Sequence, residues 1–328
     1  MYDVTAIGEL LIDFTPEGTT PEGAALYGRN PGGGPPNVLS AMARLGGRTA
    51  LISKVGDDRF GKFLISVMKD VSIETRGIRV TDKANTTLAF VHLDSSGDRS
   101  FSFCRKPGAD MLLSDKDVDR ELVAEARVFH FSTVSMTHEP SRSATLYAVR
   151  IAKENGALIS FDPNLRPPLW DGLEEARQMI IKGLGYADVL KVSEEELEFI
   201  TGIKGLGEGA ECIAEKYGIH LILVTLGAKG CFYRLGMQTG RLDTYDVKTI
   251  DTTGAGDTFL GAFLYKWLEW SRNSKSIREL GREEIERMVD FANAAGSLAT
   301  TKKGAIPAMP SASEIEACIR NVKKLGHC

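Results

Sequence analysis

Ala157-Leu158-Ile159-Ser160-Phe161-Asp162 is an apolar run ending in a carboxylate, and beyond a helical pattern over Leu173–Leu184 a second run follows, Val189-Leu190-Lys191-Val192. Short apolar runs of this kind read as strands, and the helix between them makes a βαβ unit. The same rhythm extends in both directions. Val128–Ser132 is a strand leading to a helix over Pro140–Asn155. Glu194–Thr201 is helical, Leu221–Leu226 is a strand, and a hairpin is predicted from Cys231 to Val247. Near the start, Val4–Phe14 and Thr49–Val55 read as strands, with helices over Pro36–Leu45 and Phe60–Lys69. The last third is helical over Ala255–Trp270, Glu283–Thr300 and Ser313–Leu325. This alternation predicts an α/β fold, a mostly parallel central sheet flanked by helices.

Two stretches break the rhythm. Thr86–Leu93 and Arg99–Arg105 are short strands around the polar turn Asp94–Asp98, and residues 10–31 are also strand-rich. The expected architecture is one domain over residues 1–328, with a small β-sheet lid formed by segments about 10–31 and 86–105.

Composition narrows the function. The chain has 328 residues, 26% of them charged, and a net charge of −4, with no basic block to displace counterions from a nucleic acid. No apolar run is long enough to span a bilayer, and no secretory signal is visible after Met1, so a soluble cytoplasmic protein is expected. The 5 cysteines and 5 histidines are scattered without C-x-x-C or H-x-x-x-H spacing, which speaks against a disulfide framework or a zinc site.

Chemistry concentrates in two strings. Asp251-Thr252-Thr253-Gly254-Ala255-Gly256-Asp257-Thr258-Phe259 has small residues where a helix begins. Exposed N–H groups there suit an anion, and Asp257 falls in the first turn. Pro31-Gly32-Gly33-Gly34-Pro35-Pro36-Asn37 also opens a helix, and Asn37 can both donate to and accept from a sugar hydroxyl. Asp13 follows an apolar run. A dinucleotide fingerprint is not met: Gly32-x-Gly34-x-x-Asn37 lacks its third glycine, Gly205-x-Gly207-x-Gly209 follows no strand, and no P-loop is present.

Placed together, Gly32–Asn37 with Gly46 and Gly56, Asp162-Pro163-Asn164-Leu165-Arg166, Thr225-Leu226-Gly227-Ala228-Lys229-Gly230 and the 251–264 string resemble the ribokinase-like (PfkB) sugar kinases, in that family's order. The stretch Phe103–Leu113 is similar to the fructokinase branch. The resemblance implies ATP-dependent transfer of phosphate to a primary hydroxyl of fructose, with Asp257 as base and Gly254, Ala255 and Gly256 as anion hole. It implies sugar or transfer-region contacts from Asp13, Gly32, Gly33, Asn37, Arg105, Asn164 and Arg166. Nucleotide contacts are implied for Lys191, Ser193, Glu196, Thr225, Gly227, Gly230, Gly256 and Asn293. Magnesium would be organised with help from Glu196, and potassium would be held by Asp251, Thr253, Ala299, Gly304 and also Ala308. Ser193 stands where the family has Asn, and Leu39 where it has a small residue. The remaining alternatives are a ribokinase, a 2-keto-3-deoxygluconate kinase, a nucleoside kinase, or a silent regulatory homologue. A homodimer through the lid is expected, with Phe90, Val91, Leu93, Phe101 and Phe103 supplying an apolar face and Arg105 reaching the sugar from the lid.

Overall fold

The computed structural model describes residues 1–93, 99–273 and 276–326; the expected turn Asp94–Asp98 lies outside the described residues. In chain order the strands are β1 (Tyr2–Ile7), β2 (Leu11–Thr19), β3 (Ala25–Gly32), β4 (Thr49–Gly56), β5 (Ile73–Glu74), β6 (Ile78–Thr81), β7 (Leu88–Leu93), β8 (Arg99–Cys104), β9 (Ala126–Ser132), β10 (Leu158–Asp162), β11 (Val189–Ser193), β12 (Leu221–Thr225), β13 (Cys231–Leu235) and β14 (Gln238–Leu242). The helices are α1 (Gly34–Arg44), α2 (Arg59–Asp70), α3 (Arg120–Ala124), α4 (Ser141–Glu154), α5 (Leu173–Leu184), α6 (Glu194–Thr201), α7 (Leu206–Tyr217), α8 (Ala255–Trp270), α9 (Arg282–Ala299) and α10 (Ala312–Asn321).

The central sheet runs β14-β13-β12-β11-β10-β9-β1-β4-β5, with β6 also on β4. Its pairs are parallel except for β12–β13 and β13–β14. Alternate side chains of one strand enter opposite layers. On β12, Leu221 and Leu223 join the core shared with α1, α8 and α9, whereas Ile222 and Val224 join the one shared with α4, α5 and α7. Burial on both sides explains why these strands read as continuous apolar runs.

A separate four-stranded sheet, β3-β2-β7-β8, forms the lid. Here two expectations are corrected. The run expected as one strand, Val4–Phe14, is two strands in different sheets, broken at Gly8-Glu9-Leu10. A side chain at Gly8 would come within 2.5 Å of Pro35 Cγ, so the chain leaves the central sheet where α1 begins. The apolar residues of the hairpin also do not share one face. Val91 pairs with Phe101 and Ala89 with Phe103, on the side that carries Asp13, while Phe90 pairs with Ser102 on the other. Phe90 stacks on Phe14 at 4.9 Å, and Phe14 meets Phe60 of α2 edge-on at 5.9 Å.

Helix boundaries follow local chemistry. The Asp58 carboxylate accepts from Gly61 N at 2.7 Å and starts α2. Gly202 and Gly218, both left-handed, end α6 and α7. α8 is buried through Phe259, Leu260, Phe263 and Leu264, each such side chain worth roughly 1.5–3 kcal/mol. It packs against α1 so closely that a side chain at Gly261 would lie 2.6 Å from Val38 O. That contact fixes the spacing between the two strings singled out above.

Candidate active site

Polar side chains converge where β10, β11 and β12 end, the carboxyl edge at which open α/β sheets bind ligands. Gly254 caps α8 in the left-handed region at φ 73°, and a side chain there would lie 2.6 Å from Ala305 Cβ. Only glycine turns the chain here; the Ala255 N–H is held by the Thr252 carbonyl at 3.3 Å, and those of Gly256 and Asp257 follow it in the first turn of α8. Asp257, one turn in, accepts at Oδ2 from Asn37 Nδ2 at 2.9 Å. Burial pushes the Asp257 carboxyl up to about 6; Asp162 adds to the rise, while Lys191, Asn37 and Arg166 oppose it. A carboxyl raised in this way holds a proton more firmly than an ordinary carboxylate does.

Beneath the helix end, Lys191 Nζ lies 2.9 Å from Asp162 Oδ2. Burial disfavours the Lys191 charge, but Asp162, Glu196 and Asp257 outweigh it and hold the ammonium firmly protonated. The other Asp162 oxygen accepts from Asn164 N at 3.0 Å, which holds Asn164 at φ 46°. Glu196 forms a capping box with Ser193, accepting from Ser193 N at 2.8 Å, while its other oxygen accepts from Leu165 N at 2.7 Å. Both Glu196 oxygens therefore organise loops. The Ser193 hydroxyl, where the family carries Asn, accepts from Glu196 N at 3.1 Å and so belongs to the same cap.

The lid brings Asp13 over this cleft. Burial pushes Asp13 up to about 7; the Arg166 charge opposes that, and Asp257 and Asp251 add to it. Gly32 has no room for a side chain, which would meet Asp13 Oδ2 at 2.0 Å, and one at Gly33 would meet Glu9 O at 2.3 Å. Asn37 is 4% exposed, and its Oδ1 has no hydrogen-bond partner, leaving an acceptor available beside Asp257. Arg105 differs from its expected place. It is 4% exposed and anchored, donating to Asp110, to Thr137 Oγ1 at 2.8 Å and to the Val134 carbonyl at 3.0 Å. It is a buried strut at the end of β8 and not a free arm of the lid.

On the other side of α8 lies a groove of about 400 Å³ lined by Thr225, Gly227, Gly230, Ala255, Gly256 and Asn293, among others. The Asn293 amide donates to Leu242 O at 3.1 Å and Asp243 O at 3.4 Å, which orients its oxygen. A second cleft of about 520 Å³, containing Asn164, Arg166, Lys191, Glu196 and Asp257, shares Thr252 and Gly256 with the first. The two meet at the start of α8.

Asp251 is 7% exposed and accepts from Thr253 N at 2.8 Å and Gly304 N at 3.0 Å, tying the 251–253 and 304 loops together. Ala299 ends α9 and Ala308 ends the 306–308 turn, both buried. Among the described residues no cluster of His, Cys, Asp and Glu could cage a metal. Two residues of this site escaped the sequence reading as functional groups, Asp162 and Glu9. Asp162 had a signal, the carboxylate closing an apolar strand; Glu9 had none, because its partner is 25 residues away.

Residues 1–312 match the model of the pfkB family carbohydrate kinases. The chain is 44% identical over 313 residues to a probable fructokinase-2 of Arabidopsis thaliana, covering 95% of this chain and 94% of that protein. The crystal structure of a fructokinase from Xylella fastidiosa with bound ATP superposes with a TM-score of 0.89 at 34% identity, covering 98% of this chain and 99% of that one. A double-mutant fructokinase from Vibrio cholerae O395, in fructose-, ADP- and potassium-bound form, does so at 0.86 and 35% identity, over 97% and 98%. With glycine-opened helices, the Asn37–Asp257 pair and the lid sheet all in place, the chain belongs to the pfkB family of carbohydrate kinases.

Proposed function

We propose that the protein is a fructokinase, moving the γ-phosphate of ATP to a primary hydroxyl of fructose. The observation that carries this reading is the junction of the two cavities at Thr252 and Gly256, beside Asp257, which lines the second. ATP lies in the groove of Thr225, Gly227, Gly230 and Asn293, its terminal phosphate against the N–H groups of residues 254–257. Fructose lies under the lid between Asp13, Gly32, Gly33, Asn37 and Arg166. Phosphoryl transfer spreads negative charge over the equatorial oxygens, so the protein's task is positioning and charge stabilisation. The α8 N–H groups meet that charge without reorganising. Asp257 orients the hydroxyl through Asn37's grip and takes its proton as the new P–O bond forms, while Lys191 and Arg166 balance the anions around it. Magnesium, when bound with ATP, would neutralise charge on the phosphates, and Glu196, which caps α6 with Ser193 and holds Leu165 N, would help organise it.

Potassium fits the Asp251, Thr253 and Gly304 loop, with Ala299 and Ala308 behind it, and there it would stiffen the turn before Gly254. One coupled assay tests both statements. Fructose should give the highest kcat/KM among fructose, ribose, mannose, 2-keto-3-deoxygluconate and adenosine, and the rate should fall when potassium is replaced by tetramethylammonium. A better non-fructose substrate would sink the first statement, and indifference to the cation the second.

The lid also supports a homodimer. Leu26 and Tyr27 are 45% and 41% exposed on it, and Phe101 and Phe103 are only half-buried. Apolar side chains on both edge strands of the lid, β3 and β8, call for a cover, and a second copy of the lid would provide one. Light scattering should give twice the chain mass, falling towards the monomer in Tyr27→Glu; a monomeric wild type at assay concentration would end this reading.

A further inference from the structure

α1 starts under an unusual constraint. A helix leaves its first four N–H groups without intrahelical partners. Pro35 and Pro36 have no N–H, and Asn37 N bonds Gly33 O at 3.1 Å. That leaves Gly34, the first helical residue, whose N–H has no acceptor within the helix. The N-cap residue is Gly33, which has no side chain to offer. The acceptor comes instead from Glu9, in the break between β1 and β2: Glu9 Oε1 accepts from Gly34 N at 2.8 Å. Glu9 is 3% exposed, and its Oε2 has no hydrogen-bond partner.

The geometry points to Glu9 as a positioning residue that caps α1 from a distance and thereby aims Asn37 at Asp257. Farther along, α1 is held by its contact with α8 at Gly261, where a side chain would lie 2.7 Å from Ala41 Cβ. That contact starts at Val38 O, and the residues before it, Gly34 to Asn37, form the first turn, whose Gly34 N–H is held by Glu9. Nor can the glycine loop close the gap by itself. Gly33, at φ 120°, sits against Glu9 O, and a side chain at Gly34 would lie 2.4 Å from Asn164 Nδ2. Glu9 thus stands behind the loop, and the charged groups facing it are Arg105 and Asp110. Burial raises the Glu9 carboxyl to about 7; the Gly34 N–H and the Arg105 charge oppose this, and Asp110 adds to it. Capping needs only an accepting oxygen, so the neutral acid can serve as well as the carboxylate.

This rests on the kinase reading of the site, and the test keeps the two apart, because it can be run with whichever sugar the wild type turns over. Glu9→Ala removes the acceptor, and Glu9→Gln keeps an accepting oxygen. A displaced reacting group costs up to about 100-fold, so Glu9→Ala should lower sugar kcat/KM by about 10- to 100-fold, with the ATP KM unchanged within about twofold. The acid limb of its kcat profile should also move up, because the Asn37 hydrogen bond is one of the contacts opposing the rise at Asp257, alongside Lys191 and Arg166 and against Asp162. Glu9→Gln should stay within about threefold of wild type with its limb unmoved. A folded Glu9→Ala with wild-type sugar kcat/KM or an unmoved limb would overturn the proposal. So would Glu9→Gln failing as badly as Glu9→Ala, since charge opposite Arg105 would then be the property that matters. If Glu9→Ala does not fold, Glu9→Asp, one methylene short of Gly34, takes its place with the same two outcomes.

Discussion

Asp257→Ala should lower kcat by ~10²–10⁴-fold while leaving the KM values for ATP and sugar within a few-fold of wild type, since a general base acts mainly on the chemical step. The side chain sits where the α8 N–H groups, the Asn37 amide and the lid carboxylate Asp13 converge, so its loss removes a proton acceptor without emptying either cavity. Retention of more than about a tenth of the wild-type kcat would show that Asp257 is not the base.

Lys191→Met should have the largest effect on stability. Its ammonium is nearly buried against Asp162 and faces Glu196 and Asp257 as well. Removing one partner of a buried ion pair costs about 3–5 kcal/mol, because the other charge stays behind without compensation. Urea unfolding should report that loss as a lower midpoint with an unchanged slope. The surviving activity should have an acid limb moved to higher pH, because Lys191 is the first of the groups opposing the rise at Asp257. An unfolding free energy within about 1 kcal/mol of wild type would mean that the pair does not hold the strand ends together.

What could be read from the sequence was whatever is local. The helix of Ala255–Trp270 begins and ends where its small opening residues and apolar stripe place it, and Glu194–Thr201 follows its Ser193–Glu196 cap. The strands β10 and β11 were recognisable as short apolar runs. α7 was not, because Gly205, Gly207 and Gly209 interrupt the pattern at its start, and tertiary packing of Ala210 and Ile213 overrides that weak propensity. The strand break at Gly8–Leu10 was equally hidden, since an apolar run carries no mark of which sheet it joins. The site divides in the same way. Gly254–Asp257 and Gly32–Asn37 lie in contiguous strings. The anchored state of Arg105, the Lys191–Asp162 pair and the cap from Glu9 depend on partners distant in the chain. Only the folded chain shows which donors and acceptors are already engaged.

The most direct test is the rate of phosphoryl transfer to fructose in a single turnover, followed by rapid quench from about pH 8 down to about pH 5, which isolates chemistry from product release. With Asp257 raised to about 6 by burial, the rate should be level above that pH and then fall about tenfold per pH unit below it. Asp13, at about 7, should weaken sugar binding over the same range, so saturating fructose separates the two. A transfer rate that stays level down to about pH 5 at saturating fructose would contradict proton removal by Asp257.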